Sequence, residues 1–438
     1  MLLLLRMKRR IKRSSEIVTK IKKLLCSENF MKRSKNSEKY FTRERKMPFV
    51  PLVVFMLNLV KQTLQKELTH FINIISKKDK NTTKSAYSQS RMKLKHEAFI
   101  ELNNLLIEEF YTDNYFKLWQ GFRLLAVDGV KLQLPNSQSI LQEFRGSNNG
   151  SRMVVPMAEA STCFDVLNEI IINSEIAHCD TAEYTLAIRH FGKTNEKDLL
   201  IYDRGYDGIG FMFYHFYCKR NFVIRMAKNS ILQVQDFFLS DEESKIIEIV
   251  NLHQDSKNQL KELGLEFKPF KIRLVKVILD NGEIETLATS LFDEEKYSSF
   301  IFKEIYKKRW GIETNYDHLK NNLQIENFTG LTPLSVKQDF FANVFITNLQ
   351  TIIARDAQEE ISDETKERKH DYNVNRNLSL GFMKDKIVQI LMKNDDKYME
   401  ELKELFKIEP VPIRNGRNFP RVDHGPRKKF HMTKKKAV

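Results

Sequence analysis

The chain has 438 residues, 42% of them apolar and 31 of them Phe, and carries a formal charge of +15. Such a length accommodates two or three domains with cores of their own, and the apolar content is that of a globular protein rather than a disordered one. Cys26, Cys163, Cys179 and Cys218 are scattered without a CxxC pair, which speaks against a disulfide framework or a structural zinc site and for a reducing cytoplasm.

The opening MLLLLRMKRR has four consecutive leucines before a basic run, too short for the apolar core of a signal peptide. No later stretch reaches the roughly 18 uncharged apolar residues of a membrane span. A cytoplasmic protein without a membrane partner is expected. Charge is concentrated at the ends. Residues 1–48 hold 16 Lys/Arg against 4 Glu, a net of +12, and residues 411–438 hold 9 against one Asp, a net of +8. Basic arms suit a polyanion, because each neutralised phosphate releases counterions. They equally suit a solvated tail that only confers solubility.

In chain order, the apolar spacing of Leu52, Phe55, Met56, Leu59, Leu64, Leu68, Phe71, Ile72 and Ile75 predicts helix over 50–75. The polar run at 77–85 breaks it, and helix resumes over about 88–110. This region, 1–118, reads as a basic helical DNA-binding domain or a helical dimerisation lid, since it has no helix-turn-helix signature. The pattern then changes. Residues 122–127 (FRLLAV) form a short strand ending at Asp128, and Asp128-Gly129 leads into an alternating strand, VKLQL. Strands over 153–165 and 167–177, a helix over 180–191, a strand at 198–202 ending at Asp203, a helix over 208–220 and a strand over 221–226 follow. Mixed strands and helices in this order suit an open α/β sheet whose active site lies at strand ends. Residues 227–298 interrupt the scheme with a β-rich insertion, whose Asp280-Asn281-Gly282 is a hairpin signal. A long helix over 299–323 comes next, then helices over 334–361 and 379–407 and a proline-containing basic tail over 409–438.

Three features could carry chemistry. Asp128, in VDGVKL, also reads as the first residue of a tight turn. Asp203, in LLIYDRGYDG, also reads as a cap or Asx-turn. The third is the helix bearing Tyr306, Arg309, Glu313 and Lys320. At ~100° per residue these project within about 60° on one face. Arg309 and Glu313, four apart, could be a plain surface ion pair. A solvated helix does not need Tyr, Trp310, Arg, Glu, Asp317 and Lys along one stripe, whereas a carboxylate flanked by phosphate donors makes sense beside a DNA strand.

With these residues in view, the chain resembles the DNA transposases of bacterial insertion sequences, specifically the insertion sequence 4 family of the DDE class. The resemblance rests on the Y-(2)-R-(3)-E-(6)-K helix, a first Asp after a strand, and the D-R-G-Y segment at Asp203-Arg204-Gly205-Tyr206. It spans about residues 120–330. It implies an RNase H-like catalytic core: 119–226 as its first part, 227–298 as the β-rich insertion, 299–330 as the helix with the third acid, and 331–408 as a helical C-terminal region. It further implies that Asp128, Asp203 and Glu313 are catalytic and ligate two Mg²⁺ (or Mn²⁺) ions, hard cations that prefer carboxylate oxygens. Tyr306, Arg309 and Lys320 would contact DNA phosphates, with Arg225 a further candidate, and Asp317 rivals Glu313 as third ligand. Implied partners are double-stranded DNA, both transposon ends and target, and a second copy of the chain. Implied chemistry is nicking and strand transfer, in many members through a hairpin, and a pocket for a flipped base; neither Trp119 nor Trp310 is assigned to it. The alternatives are a DNA-binding relative without activity and another metal nuclease on the same core.

Overall fold

A computed structural model describes residues 2–43, 46–58, 63–75, 82–112, 115–148, 154–279 and 282–414. The tail at 415–438, the Asp280-Asn281 turn and positions 77–81 of the polar break lie outside the described residues. The chain begins with helices α1 (Leu2–Leu25), α2 (Glu28–Ser34), α3 (Phe49–Leu57), α4 (Leu64–Ile75), α5 (Lys84–Arg91) and α6 (Glu97–Thr112). It continues through β1 (Arg123–Gln133), α7 (Gln138–Phe144), β2 (Gly146–Ser147), β3 (Val155–Asp165), β4 (Ile170–His178), α8 (Glu183–Arg189), β5 (Asp198–Tyr202), α9 (Ile209–Tyr217) and β6 (Asn221–Met226). Next come α10 (Leu232–Leu239), β7 (Ser244–Ile249), α11 (Gln254–Glu262), β8 (Phe270–Ile278) and β9 (Ile284–Thr289). The last helices are α12 (Ser299–Lys308), α13 (Trp310–Asp317), α14 (Pro333–Glu364), α15 (Arg376–Met392) and α16 (Lys397–Phe406). Among the described residues no helix is long and apolar enough to cross a membrane, and the four cysteines are free thiols.

The chain divides into two compact units, a helical one from residues 1–115, 132–158 and 317–438, and a sheet unit from 116–131 and 159–316. In the helical unit, α1, α3, α6, α15 and α16 pack against the 32-residue α14. That helix starts where the sequence tells it to. Thr332 and Ser335 form a capping box, and Pro333 occupies the first turn, where its missing N–H costs nothing.

The sheet unit is ordered β3-β1-β5-β6-β9-β8-β7, with β4 also paired to β3. β1, β5 and β6 run parallel, and the pairs β6–β9, β9–β8 and β8–β7 are antiparallel. All five residues of β5 are buried, as expected for a central parallel strand covered on both faces. Its register against β1 is fixed by charge. Arg123 donates through Nε and Nη2 to the two carboxylate oxygens of Asp198 at 2.6 and 2.8 Å, a bidentate pair of defined geometry, and the two residues are level in the ladder. On one side of the sheet, Phe302, Ile305 and Tyr306 of α12 join Leu199, Ile201, Val223, Val275 and Leu287 in a buried cluster.

The structure refines the sequence expectations at several places, and the helices expected over 88–110 and 379–407 are each split in two. Asp128 does not end a strand: β1 runs unbroken through Asp128-Gly129 to Gln133. The helix expected over 50–75 is two, α3 and α4. The strands of the insertion do not stand apart; β9 pairs with β6, so 227–298 extends the central sheet. Finally, the helix expected over 299–323 is jointed at Arg309 and ends in a π turn over His318–Asn322. Such single wide turns often mark functional segments of helices.

Candidate active site

The register places the first two acids together. Ala126 is level with Ile201; two residues further, Asp128 on β1 comes level with Asp203, which directly follows β5. The next strand continues the row, because Tyr202 is level with Ile224 and Arg225 therefore stands beside Asp203. Asp128 Oδ1 accepts from the Gly129 amide at 3.0 Å. Asp203 caps the short turn Arg204–Tyr206, accepting from the Gly205 amide at 2.8 Å. Asp203 thus caps its turn as the capping reading demands, whereas Asp128 lies inside β1 and starts no turn; both acids are half-buried.

Burial, and next the carboxylate of Asp203, push the Asp128 carboxyl up to about 7, with Glu183 adding to the effect. Glu183, in the first turn of α8, is itself raised, first by burial and then by Asp203. It lies directly against β1: a Cβ on Gly129 would stand 3.0 Å from its Cγ and Cδ and 3.1 Å from Oε1 of the buried Glu159. The glycine of the Asp-Gly pair is therefore required by a close approach of acids, not by a turn. The buried Tyr206 hydroxyl faces the same group, sensing Glu183, Asp128 and Asp203.

Glu313 lies on α13 and accepts from Arg309 Nη2 at 2.9 Å. Arg309 is buried, its charge also acts on Asp128, and its Nε has no hydrogen-bond partner. The helix is pinned to β1 next to the acids. Tyr316 donates from its hydroxyl to the Asp128 carbonyl at 2.7 Å and accepts from Thr162 Oγ1 at 3.0 Å, and Ser161 donates to the same carbonyl at 3.2 Å. Tyr316 follows Glu313 by three residues, so the pin lies one turn from the carboxylate.

The remaining expected residues divide. Tyr306 is 5% exposed, belongs to the core cluster, and its hydroxyl has no hydrogen-bond partner; its ring carries the Arg309 guanidinium at 5.7 Å. Arg225 is partly exposed and paired with Glu285 at 2.6 Å. Lys320 belongs to the helical unit, 4.0 Å from Glu326. Asp317 is exposed. Among the described residues no three His, Cys, Asp or Glu side chains already form a metal cage. The donor chemistry nevertheless fits a hard divalent cation: oxygen ligands only, with carboxylates crowded so that a cation would relieve their repulsion.

Sequence reasoning missed Glu183, Tyr316 and the Ser161-Thr162 pair, and gave Tyr206 no role of its own. An acid in a first helical turn reads as dipole compensation, and nothing in the pattern shows that α8 faces Gly129. Residues 119–349, just over half the chain, match the transposase DDE domain family. The chain belongs to this family. It is 22% identical over 270 residues to the Escherichia coli (strain K12) transposase InsG for insertion sequence element IS4, which agrees with the resemblance seen in the motifs. The alignment covers 60% of each protein, so the chain spans about 60% of that relative's length. The fold is similar, at a TM-score of 0.43 and 10% identity, to piggyBac transposase in its synaptic complex with hairpin DNA, over 94% of this chain and 87% of that one. Asp128, Asp203 and Glu313 all fall within the span matched by the family.

Proposed function

We propose that the chain is a DNA transposase that nicks and joins phosphodiesters at the ends of a mobile element. Asp128, Asp203 and Glu313 hold two Mg²⁺ or Mn²⁺ ions, and the core is RNase H-like, its sheet extended by residues 227–298. The observation that carries this reading is the register: Asp128 on β1 and Asp203, just past the parallel neighbour β5, each lie two residues beyond the paired Ala126 and Ile201, and the helix with the third acid is bonded to the backbone of the first through Tyr316. When bound, the ions would supply an activated attacking oxygen and a stabilised leaving oxygen.

The chain's own residues hold the site in readiness. Arg309 keeps the Glu313 carboxylate in a fixed place and offers charge toward a scissile phosphate, and Arg225, beside Asp203, offers a second guanidinium once released from Glu285. Buried Tyr306 acts from beneath, positioning Arg309 through its ring rather than gripping DNA itself. Glu313 is preferred to Asp317 because it is the acid tied to this arginine. Lys320 serves DNA binding from the helical unit. Double-stranded DNA is the substrate, processed through a hairpin at the element's end, and a second copy completes the paired-end complex.

The test is nicking of a labelled end-sequence duplex by purified protein in Mg²⁺. Asp128→Asn, Asp203→Asn and Glu313→Gln should each lower the rate about 10⁴-fold, as for members of a unit that acts together, while duplex binding persists. Nicking that survives Asp128→Asn would sink the proposal. Loss in Asp317→Asn with survival in Glu313→Gln would move the third ligand.

A further inference from the structure

The loop after α2 is a built structure, unlike an ordinary surface connection. It is tied to the segment following α5 by a bridge between Lys35 and Leu94, by the Asn36 amide donating to the Lys93 carbonyl at 2.9 Å, and by the Lys95 amide donating to the Ser34 carbonyl at 2.8 Å. Lys35 Nζ donates to the Glu38 carbonyl at 2.8 Å, folding the loop back on itself. Phe41 is held at φ 57°, a left-handed conformation rare for a bulky side chain, maintained only where the surroundings enforce it. Its ring packs edge-on against Phe49 at 5.5 Å.

The result is a cavity of about 570 Å³ walled by Lys39, Tyr40, Phe41, Arg43, Ser90 and Lys93, within the range of small-ligand sites. Its chemistry is one-sided. Three cations reach it from two chain segments, no carboxylate lines it, and none of the three forms a salt bridge among the described residues. The Lys93 ammonium lies 5.6 Å from the centroid of the Tyr40 ring. Cations gathered around a cavity without a counter-charge repel one another unless an anion enters, and a flat ring beside them suits a base or sugar.

We propose that this cavity in the helical unit is a second nucleic-acid site, which seats a backbone phosphate and its nucleoside from a DNA strand, separate from the acid cluster of the sheet unit. The inference rests on the transposase reading, and it assigns to Lys39, Arg43 and Lys93 a binding role that the charge of residues 1–48 left unlocated.

The test compares two double charge reversals by fluorescence anisotropy on a labelled duplex across a salt series, with thermal melting as a check on folding. Arg43→Glu with Lys93→Glu alters the cavity; Lys257→Glu with Lys261→Glu makes the same charge change on exposed α11 of the sheet unit. The cavity pair should lower affinity at least tenfold at about 0.1 M salt and flatten the log–log salt slope by about one, for the one phosphate seated, with an unchanged melting temperature. The α11 pair should stay within about threefold of wild type. Equal losses in both pairs, or wild-type affinity in the cavity pair, would overturn the proposal. A free deoxynucleoside monophosphate serves as competitor: displacement of the duplex at millimolar concentration in wild type but not in the cavity pair locates the phosphate seat, and equal displacement in both overturns it. Metal-dependent nicking is scored separately. A wild-type protein that binds no duplex removes the transposase reading along with this site, whereas nicking retained with an inert cavity removes only the site.

Discussion

Two clusters, the Arg91 network of the helical unit and the acids around Asp128 in the sheet unit, treat charge in opposite ways. In the helical unit, Arg91 is 3% exposed and each nitrogen of its guanidinium donates: to Gln338 Oε1 at 2.7 Å, Thr329 Oγ1 at 2.6 Å, the Ser335 carbonyl at 2.8 Å and Asp339 Oδ1 at 2.6 Å. Buried Glu67 is likewise met by Lys384 through both oxygens at 2.9 and 2.7 Å. In the sheet unit, acids lean on one another. Asp128, Asp203 and Glu183 crowd together, Arg309 Nε and the Tyr306 hydroxyl find no hydrogen bond, and the amide of buried Asn315 has none at either end. A folded chain satisfies its buried polar groups unless something else is served. Balanced charge therefore marks architecture here, and unbalanced charge marks chemistry.

The contrast predicts opposite signs for two substitutions. Arg91→Ala leaves Asp339 and Gln338 buried without their partner and should cost about 3–5 kcal/mol of folding stability, read from the denaturation midpoint in urea. Asp128→Asn, measured in EDTA above pH 7, where the raised carboxyl is charged, should raise the melting temperature, because it removes one of three neighbouring negative charges; the same change should lower nicking about 10⁴-fold. This is the stability–function trade expected of a strained site. A neutral Arg91→Ala, or a destabilising Asp128→Asn, would erase the distinction between the units.

A smaller effect tests how tightly the acids are held. The Cβ of Gly129→Ala would meet Glu183 and Glu159 at 3.0–3.1 Å, and overpacking of this kind costs about 1–3 kcal/mol. Glu183 sits at the rim and can retreat, whereas Glu159 is buried and cannot. Glu183→Ala should therefore restore part of the stability lost by Gly129→Ala, a coupling that a double-mutant cycle measures. Strict additivity would mean that the two residues do not press on each other.

Legibility of the chain followed the range of the interactions. The apolar run of β5 and the span of β6 are local, and pattern alone located them. The families of contact that build the site are not. Asp128-Gly129 has the composition of a turn, yet β1 runs extended across it between β3 and β5, strands formed by residues far along the chain. The same limit hid Glu183, whose role depends on where α8 lands, and Tyr316, which looks like one more aromatic on a helix. The motif residues Tyr306 and Arg309 were found as a pair, but not that the first is buried and carries the second. The insertion was visible as strands, while its merger with the central sheet was not, because edge pairing between β6 and β9 has no sequence signature.

The finest test concerns the pin between α13 and β1. Tyr316→Phe keeps the ring and removes the hydroxyl that bridges the Asp128 carbonyl and Thr162, so stability should fall only by about 1 kcal/mol, the net worth of such a bond. Nicking should fall further than stability warrants, by about tenfold, because the helix that carries Glu313 is then free to shift relative to the strand that carries Asp128, and a small misplacement of a reacting group is costly. Thr162→Val removes the other half of the bridge but leaves the bond to the Asp128 carbonyl, so it should cost similar stability and much less activity. If the two variants lose activity equally, Tyr316 contributes packing alone, and the fixed distance between the strand acids and Glu313 must come from Arg309 instead.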